Sequence, residues 1–336
     1  MRNSNKASWL AAVAVIAGAL MLPTFSEAAA GVALNDPADV KAIGDVEKDL
    51  ATLNTMKDLI KYYAPDAVVF DVFAPGIYRG SRQIYDGFEQ QFAQGQSFTG
   101  AIPEMDILSD GRFACAALQL HFNFVMKNGT HGSLTLRQLD AYKKIGGKWL
   151  IVQQHISVPM DPKTGKGLLD EPMPVRGPLQ WNPQSFSGRA ASVAQAKREV
   201  RSWLDVGLLA RNLDQLMGYY GPTDDVIVYD MLYPPGEFRG KSEIRAGFAP
   251  VMNYTDPHVK MLSLVIDTDG VFAAQIDTQD VTVTRKDGTK SNFYLRQSDC
   301  MRRMNGKWYA VLEEISVPVD AKTGQSVTKA SAIASN

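Results

Sequence analysis

Five side chains that can bind ligands or exchange protons fall on three consecutive β-rich segments: His121, Gln138, Asp140, Gln153 and His155. Their alternating spacing is typical of strands, in which every second residue shares a face. An imidazole titrates near neutral pH and a carboxylate accepts a proton. The pattern therefore predicts general acid–base chemistry, with His121, Asp140 and His155 as candidate catalytic residues and the two glutamines as candidate binding residues.

The predicted pairing of these segments depends on turns. Four residue pairs are typical of two-residue hairpin turns: Asn128-Gly129, Gly146-Gly147, Asp287-Gly288 and Asn305-Gly306. Turns of this kind would place Gln119 and His155 opposite Gln138, and Gln153 opposite Asp140. The five polar side chains His121, Gln138, Asp140, Gln153 and His155 would then lie on one face of a sheet.

The opposite face is predicted to be apolar, with Arg137 as its main exception. Its members are Leu118, Leu120, Phe122, Phe124, Leu139, Val152 and Ile156. Arg137 and its later counterpart Arg296 are predicted to form structural ion pairs, with Glu313 as a candidate partner of Arg296. The alternative for the polar stripe is a solvated outer sheet face, which antiparallel sheets commonly have.

The elements that carry these residues occur twice. Three motifs recur at the same offset, which indicates a tandem repeat. They are Gly-Lys-Trp at 147–149 and 306–308, Ile-Ser-Val-Pro at 156–159 and 315–318, and Lys-Thr-Gly at 163–165 and 322–324. We predict a first domain at 31–160, a Pro-rich linker at 161–188, a second domain at 189–320, and a C-terminal tail at 321–336 that frays.

Each copy has the same order of elements. Asn35-Asp36-Pro37 is a helix start signal, and residues 190–220 form the helical region of the second copy. A β-rich run at 67–73, a short helix near 84–92 and three further strands follow in the first copy. Helices followed by an antiparallel sheet predict an α+β fold.

The second copy carries altered chemistry at the equivalent positions. The candidate binding residues there are Asp280, Gln297, Asp299 and Glu314. Carboxylates replace both imidazoles, so the two sites are expected to differ in charge and pKa. We expect at most one copy to be optimised for chemistry, and the imidazoles favour the first.

The element order resembles the ketosteroid isomerase/SnoaL-like group of the NTF2-like superfamily, and the resemblance covers both copies. It is carried by the run from Tyr63 to Asp71, Tyr-Ala-Pro-Asp-Ala-Val-Val-Phe-Asp, which continues without a gap to Gly80, and by the closing Trp149 strand with its Ser-Val-Pro ending. The resemblance implies two cone-shaped domains, each with helices packed on a curved antiparallel sheet. Such domains commonly pair through their sheets, so it also implies an internal pseudo-dimer and allows a further homodimer.

The resemblance also implies roles for individual residues. Asp71 matches the general base, with Asp230 as its counterpart, and Asp140 or Gln138 matches the protonated oxyanion donor. The position of the family's tyrosine donor falls on Glu47, and in the second copy on Leu204. Tyr63 and Tyr142 are candidate pocket residues. The alternative for Asp71 is a structural role, capping the turn before Pro75-Gly76.

The function predicted from these residues is a cofactor-independent enzyme of the isomerase, lyase or cyclase type that acts on a small apolar molecule. The alternative is a non-catalytic module that binds a small molecule or mediates assembly. The sequence contains neither a zinc-ligand spacing nor a nucleotide-binding fingerprint. Its 35 basic and 36 acidic side chains nearly balance, so nucleic acid is not an expected partner.

The N-terminus predicts export. Residues 1–30 combine two cationic side chains, an apolar run and small residues, which is typical of a secretory signal cut after Ala28 or Ala30. The mature protein is therefore expected in the periplasm or the medium, without a membrane anchor. Cys115 and Cys300 are not at equivalent positions in the repeat and are expected to be small buried hydrophobic residues. A bridge between them would require close α-carbons.

Overall fold

A computed structural model describes residues 34–52, 55–182, 188–250, 252, 254–285 and 287–329. The predicted signal peptide at 1–30 lies outside these residues. Within the described part of the chain, none of the helices is both long and apolar enough to cross a membrane.

The first repeat consists of three helices and a six-stranded sheet. Its elements are α1 (Pro37–Thr52), α2 (Met56–Leu59) with a 3-10 turn (Ile60–Tyr62), β1 (Tyr63–Phe70), β2 (Ile77–Arg79), α3 (Gly80–Phe92), β3 (Gly95–Ser109), β4 (Phe113–Met126), β5 (His131–Ile145) and β6 (Lys148–Ser157). The strand order is β2-β1-β6-β5-β4-β3. Only the β1–β6 pair among these is parallel.

The second repeat has the same architecture. Its elements are α4 (Val193–Leu208), α5 (Leu213–Tyr219), β7 (Ile227–Tyr229), β8 (Glu237–Arg239), α6 (Gly240–Phe248), β9 (Tyr254–Thr268), β10 (Phe272–Arg285), β11 (Lys290–Met304) and β12 (Lys307–Ser316). The strand order β8-β7-β12-β11-β10-β9 repeats that of the first sheet. The predicted α+β fold with two tandem domains is confirmed.

The helix signals act as predicted. Asp36 accepts a hydrogen bond from the amide of Ala38 at 2.8 Å, so it caps α1 and Pro37 opens it. One face of α1 is buried against the sheet at Ile43, Glu47 and Ala51, which are spaced four residues apart. A carboxyl group therefore projects from a helix into the interior of the domain.

The hairpin register differs from the prediction. Gly146 and Gly147 both have positive φ and form the expected two-residue turn. At Asn128-Gly129, however, Gly129 has positive φ whereas Asn128 does not, and Val125 pairs with His131, so the loop is one residue longer. The β10–β11 hairpin at Asp287-Gly288 has the same longer register. One residue of slip moves a side chain to the other face of the sheet.

A β-bulge between Ala141 and Tyr142 shifts the other side of β5 as well. His155 therefore pairs with Leu139 instead of Gln138, Gln153 pairs with Ala141 instead of Asp140, and Gln119 pairs with Arg137. Paired residues share a face. The predicted polar stripe is therefore wrong: it is divided between the two faces of the sheet.

The inner face, toward the helices, carries Gln138 and Asp140 together with side chains predicted for the apolar face, including Leu118, Leu120 and Ile156. The outer face carries Gln153, His155 and Arg137. This outer face is covered by the second repeat, as a series of contacts shows: His155 Nδ1 lies 2.9 Å from Ser298 Oγ and its Nε2 lies 2.7 Å from Ser316 Oγ. The two repeats thus form an internal pseudo-dimer through their sheets.

A disulfide joins the two repeats within this interface. Cys115 on β4 and Cys300 on β11 are bonded, with their α-carbons 6.3 Å apart. The expectation that each is merely a small buried hydrophobic residue is wrong, although both side chains are buried. Because the two cysteines are not at equivalent positions of the repeat, the sequence did not predict this disulfide, which the pairing of the two sheets makes possible.

The repeated Ser-Val-Pro and Lys-Thr-Gly motifs also lie between the repeats. The segment after β6 crosses to the second repeat, where the amide of Met160 donates to Met231 O at 2.7 Å. The segment after β12 crosses the other way, and Gly167 N donates to Gly324 O at 3.0 Å. The predicted fraying tail is hydrogen-bonded as far as Thr328, whose carbonyl accepts from Tyr294 N at 2.8 Å.

Candidate active site

The first repeat has a partly open cavity of about 150 Å³ between its helices and the inner face of its sheet. Most of the wall is apolar; it includes Leu50, Phe88, Phe92, Leu120, Leu134 and Leu136. A dry cavity of roughly this volume holds one six-membered ring. The polar side chains that reach the cavity are Glu47, Tyr63, Asp71, Gln91, Gln138 and Gln154.

One polar group is built around two buried carboxyl groups, Glu47 on α1 and Asp140 on β5. Gln138 Nε2 donates to Glu47 Oε2 at 3.2 Å and to Asp140 Oδ2 at 2.7 Å. Gln154 Nε2 also donates to Asp140 Oδ2, at 3.1 Å, and the hydroxyl of Tyr142 donates to Glu47 Oε1. Glu47 therefore faces the cavity, and Asp140 lies behind it.

The environment of this pair favours protonation. Burial raises the pKa of Glu47 from its ordinary 4.5 to about 7, against the opposing hydrogen bonds from Tyr142 and Asp140. Burial, together with the nearby charge of Glu47, raises the pKa of Asp140 well above its ordinary value. Two adjacent carboxyl groups in a low dielectric cannot both ionise easily. Near neutral pH the pair therefore holds at least one proton that it can exchange with a ligand.

Asp71 is the second acid–base group of the cavity. It follows β1, and it is almost fully buried. Gln91 and Tyr78 donate to Oδ2, the latter at 3.3 Å, and the amide of Val72 donates to Oδ1 at 2.7 Å. Burial raises the pKa of Asp71 although these hydrogen bonds oppose the shift. Asp71 therefore both accepts the hydrogen bond from the amide of Val72 in the turn and lines the cavity.

The remaining candidates of the first repeat lie on the two faces of its sheet: Tyr63, Gln138 and Tyr142 on the inner side, and His121, Gln153 and His155 on the outer side. Tyr63 lines the cavity, and its hydroxyl donates to Gln154 Oε1 at 2.7 Å. Gln138 and Tyr142 belong to the carboxyl cluster described above. His121 lies on the outer sheet face with its Nδ1 3.3 Å from Thr135 Oγ1, and His155 and Gln153 are in the inter-repeat interface.

The two histidines are therefore not brought to the cavity. Burial, and then the charges of Arg296 and Arg137, lower the pKa of His155 well below its ordinary value. Its imidazole is held neutral between two serine hydroxyls, which is a structural arrangement. The prediction that these imidazoles join Asp140 on one face is wrong, because the register of both hairpins differs from the one assumed.

The interior of the second repeat is built differently. Asp299 accepts from Tyr219 at 2.8 Å and from Gln297 at 3.0 Å, and Gln297 also donates to Glu313 at 2.9 Å. Where the first repeat has Leu118 and Leu120, the inner face of β10 carries Asp277 and Gln279. Tyr219, Tyr220 and Phe248 are buried in the space above. This interior is more polar than that of the first repeat and is occupied by aromatic rings.

The other candidates of the second repeat do not share a site with Asp299. Glu314 is paired with Ser298 on the outer face, and Asp280 is paired with Tyr294 on that face as well. Burial raises the pKa of Glu314 to about 7. Burial raises the pKa of Asp230 to about 6, opposed by the charge of Arg137. The expected grouping of three carboxylates is therefore wrong, although the two interiors do differ.

The predicted partner of Arg296 is also corrected. Glu313 is hydrogen-bonded by Gln297 and by the hydroxyl of Tyr220 on the inner face. Arg296 lies on the outer face and donates to backbone carbonyls of the first repeat, at Asp71 and Pro75.

Sequence reasoning did not select Glu47, Gln91 and Gln154 as site residues. For Glu47 a signal exists, because it falls at the centre of the apolar face Ile43–Glu47–Ala51 of α1, where an unpaired charge would be costly. Gln154 becomes an inner-face residue through the bulge in the β5–β6 pair. Gln91 reaches Asp71 from α3 across 20 residues, a contact that depends on tertiary packing. Among the described residues, no three His, Cys, Asp or Glu side chains are placed to hold a metal ion together.

Helices packed on one face of a six-stranded sheet, with a small cavity between them, define the first repeat as an α+β domain with an internal pocket. Residues 48–161 match the SnoaL-like domain family, and residues 200–311 match a SnoaL-like domain a second time. These matches cover about two thirds of the chain, which therefore belongs to the SnoaL-like family as two domains in tandem. The resemblance predicted from the sequence is confirmed.

Solved structures with similarity to the chain include NTF2-like and cystatin-like proteins. An NTF2-like protein of unknown function from Pseudomonas putida KT2440 is 20% identical, with a TM-score of 0.36 over 42% of this chain and 98% of that one. An NTF2-like superfamily protein from Salmonella enterica serovar Typhimurium LT2 is 18% identical, with a TM-score of 0.36 over 40% and 100%. A protein with a cystatin-like fold from Caulobacter vibrioides is 16% identical, with a TM-score of 0.31 over 36% and 87%. No match was found among curated proteins.

Proposed function

We propose that the first repeat binds a small, mostly apolar molecule and catalyses a cofactor-independent proton transfer on it, as an isomerase or lyase does. One observation carries this proposal: a single apolar cavity contains two separate acid–base groups, Asp71 and Glu47. An apolar wall excludes water and strengthens electrostatic interactions with a bound ligand. The cavity volume of about 150 Å³ favours a ligand no larger than one ring with a short substituent.

The two groups have complementary roles in this proposal. Asp71 accepts a proton from a carbon next to a carbonyl group, since a carboxylate in a dry site is a stronger base than in water. Glu47, with Asp140 behind it, donates a hydrogen bond or a proton to the oxygen on which charge develops. Gln138 and Tyr142 hold this pair in place through their hydrogen bonds.

Deuterium uptake from D₂O into cyclohexanone tests the proposal without knowledge of the natural substrate. We expect the protein to accelerate exchange at the carbons next to the carbonyl, and Asp71→Asn to slow it at least tenfold. Asp66→Asn is the matched control, because Asp66 lies on β1, the strand that Asp71 follows, with an exposed side chain. Unaltered exchange in the Asp71 variant would contradict the role of this carboxylate.

Thermal denaturation with phenol or cyclohexanone separates binding from catalysis, since a ligand stabilises the folded state by mass action. Leu136→Trp would fill the cavity and abolish stabilisation, whereas Leu295→Trp, at the equivalent position of the second repeat, would keep it. Stabilisation without deuterium exchange would favour the alternative, a non-catalytic binding module.

We also infer that the protein is exported to the periplasm or the medium. The N-terminal pattern of residues 1–30 supports this proposal, as does the Cys115–Cys300 disulfide, because structural disulfides persist mainly in oxidising compartments. Cell fractionation of the expressed full-length chain tests it. A mature N-terminus at residue 29 or 31 in the periplasm is expected, and an uncleaved cytoplasmic protein would contradict it.

A further inference from the structure

The loop that carries Asp71 is bound by the second repeat. Arg296 on β11 is fully buried, and its Nη1 donates to the carbonyl oxygen of Asp71. Its Nη2 donates to the carbonyl oxygen of Pro75 at 2.7 Å. One guanidinium group therefore holds both ends of a loop that closes on itself through Asp71 N and Gly76 O, 2.8 Å apart.

The backbone of the second repeat binds the same loop. Val319, after β12, donates its amide hydrogen to Val72 O at 2.9 Å and accepts one from Ala74 N at 2.9 Å. The Arg296 guanidinium also lies over the ring of Phe70, 5.4 Å from its centroid. The two fixed carbonyl acceptors at Nη1 and Nη2 offset part of the cost of burying this charge.

The position of the loop determines where the Asp71 carboxylate points. Oδ1 accepts from the amide of Val72, the next residue of the loop, while Oδ2 accepts from Tyr78 and Gln91 of the first repeat. A shift of the loop would break one set of contacts or the other. The carboxylate is thus held from both repeats.

The arrangement is reciprocal. Arg137 of the first repeat is fully buried and donates through Nη1 to the carbonyl oxygens of Asp230 and, at 2.9 Å, Gly236. Two equivalent contacts related by an internal pseudo-twofold axis are expected of a sheet-to-sheet pair of similar domains. This symmetry supplies a matched control, because only one of the two loops borders the ligand cavity of the first repeat.

We propose that Arg296 is a positioning residue for the acid–base site of the first repeat, and that this site is complete only when the second repeat is docked against it. The catalytic role of this positioning rests on the function proposed above for Asp71. The contact between Arg296 and the loop does not depend on that function, and it can be tested without any ligand. The second repeat would then serve the first as a scaffold that contributes one side chain.

Hydrogen exchange measured by mass spectrometry on the full chain tests the contact. In Arg296→Met, amides of residues 71–77 should exchange at least tenfold faster than in the wild type, with residues 230–236 unchanged. In Arg137→Met the opposite pattern is expected. Equal changes in both loops in both variants, or none in either, would overturn the proposal.

A variant that unfolds would expose every amide, so exchange in the central strands β4 and β10 serves as the folding control. If Arg296→Met fails this control, Arg296→Lys replaces it: lysine keeps the charge but lacks the planar fork that reaches two carbonyls. We then expect faster exchange of 71–77, with β4 and β10 protected. Wild-type exchange in 71–77 would contradict the proposal.

The pH profile of deuterium uptake by cyclohexanone distinguishes positioning from general structural support. The charged or titratable groups that act on Asp71 are Arg296, Tyr78 and Tyr63, and Arg296 lowers the pKa of the carboxyl group. Arg296→Met should therefore move the acidic limb of the profile to higher pH, and Arg296→Lys should restore it. A profile that stays in place in Arg296→Met would show that the guanidinium does not act on the carboxylate.

The two proposals fail differently. Absence of wild-type deuterium exchange would contradict the catalytic function while leaving the hydrogen-exchange result to judge the positioning contact. Wild-type activity with normal exchange of residues 71–77 in Arg296→Met would contradict the positioning role alone.

Discussion

Glu47 on α1 and Asp140 on β5 form a hydrogen-bonded pair of buried carboxyl groups inside the first repeat. Burial raises the cost of ionising both groups, and the charge of Glu47 raises it further for Asp140. Because the second repeat has Leu204 where the first has Glu47, this pair belongs to the first repeat alone. The free energy of unfolding should therefore change with pH as this pair titrates.

The first prediction concerns Glu47→Gln. The folded-state pKa of Glu47, about 7, is above its ordinary 4.5, so its contribution to stability is complete below about pH 4.5 and is lost as the pH rises to 7. Removing this titration should make the variant more stable relative to the wild type as pH rises, by on the order of 3 kcal/mol between pH 4 and pH 8. Urea unfolding across this range measures it.

Glu199→Gln is the control of opposite sign. The hydrogen bonds from Arg303 and Trp308, at 3.0 and 2.9 Å, outweigh burial and lower the pKa of Glu199. Its contribution is therefore present at higher pH, and the variant should lose stability relative to the wild type as pH rises. Parallel curves for both variants would argue against the assigned environments.

The second prediction concerns His155, which is neutral in the interface. Its pKa is lowered by burial and by two arginines, so protonation of the unfolded chain below about pH 6.5 destabilises the fold. His155→Gln should flatten the loss of stability between pH 6.5 and 5. Ser298→Ala removes one hydrogen bond but keeps the imidazole, so it should lower stability at every pH without flattening the curve. Calorimetry at several pH values would reveal the difference.

Much of the fold follows from local sequence signals. The duplicated motifs predict the tandem, Asp36 and Pro37 predict the start of α1, and Gly146-Gly147 predicts its turn correctly. The polar stripe failed at Asn128-Gly129, because a glycine with positive φ fits both a two-residue turn and a three-residue loop. The two loops differ in length by one residue, and this difference reverses the face of every side chain beyond the turn.

The remaining errors have tertiary causes. The bulge at Ala141 moves His155 and Gln153 to the outer face, and a bulge in an antiparallel pair has no reliable local signal. The Cys115–Cys300 bridge and the reciprocal arginine contacts depend on how one repeat is placed on the other. Asp71 and Gln138 line the cavity, and the elements that bring them there, the end of β1 and β5, belong to the first repeat.

The third prediction concerns the disulfide. Replacing both Cys115 and Cys300 by alanine removes a cross-link that spans 185 residues, which by the chain-entropy argument costs up to about 5 kcal/mol. Guanidinium unfolding of the double variant should show this loss, and dithiothreitol should have no further effect on it. The wild type should show no reactive thiol until it is reduced. A reactive thiol in the native, oxidised protein would contradict the bridge.

The fourth prediction compares two tyrosines at equivalent positions of the repeats. Tyr219 is 2% exposed and its hydroxyl donates to Asp299 at 2.8 Å, whereas Tyr62 is half-buried and donates to Asp49 at the surface. Tyr219→Ala should open a cavity and remove one of the hydrogen bonds to the buried Asp299 carboxyl group, at a cost of about 3–5 kcal/mol. Tyr62→Ala should cost about 1 kcal/mol or less.

Tyr219→Phe separates the two contributions of that ring. Phenylalanine keeps most of the packed volume, so the loss of unfolding free energy should be smaller than in Tyr219→Ala, about 1–2 kcal/mol. Because the Tyr219 hydroxyl lowers the pKa of Asp299, which is about 6, the remaining loss should grow as the pH rises above 6. Urea unfolding of the three variants at pH 5 and pH 8 measures both effects. Equal costs for Tyr219→Ala and Tyr62→Ala would mean that the second interior is not filled by Tyr219.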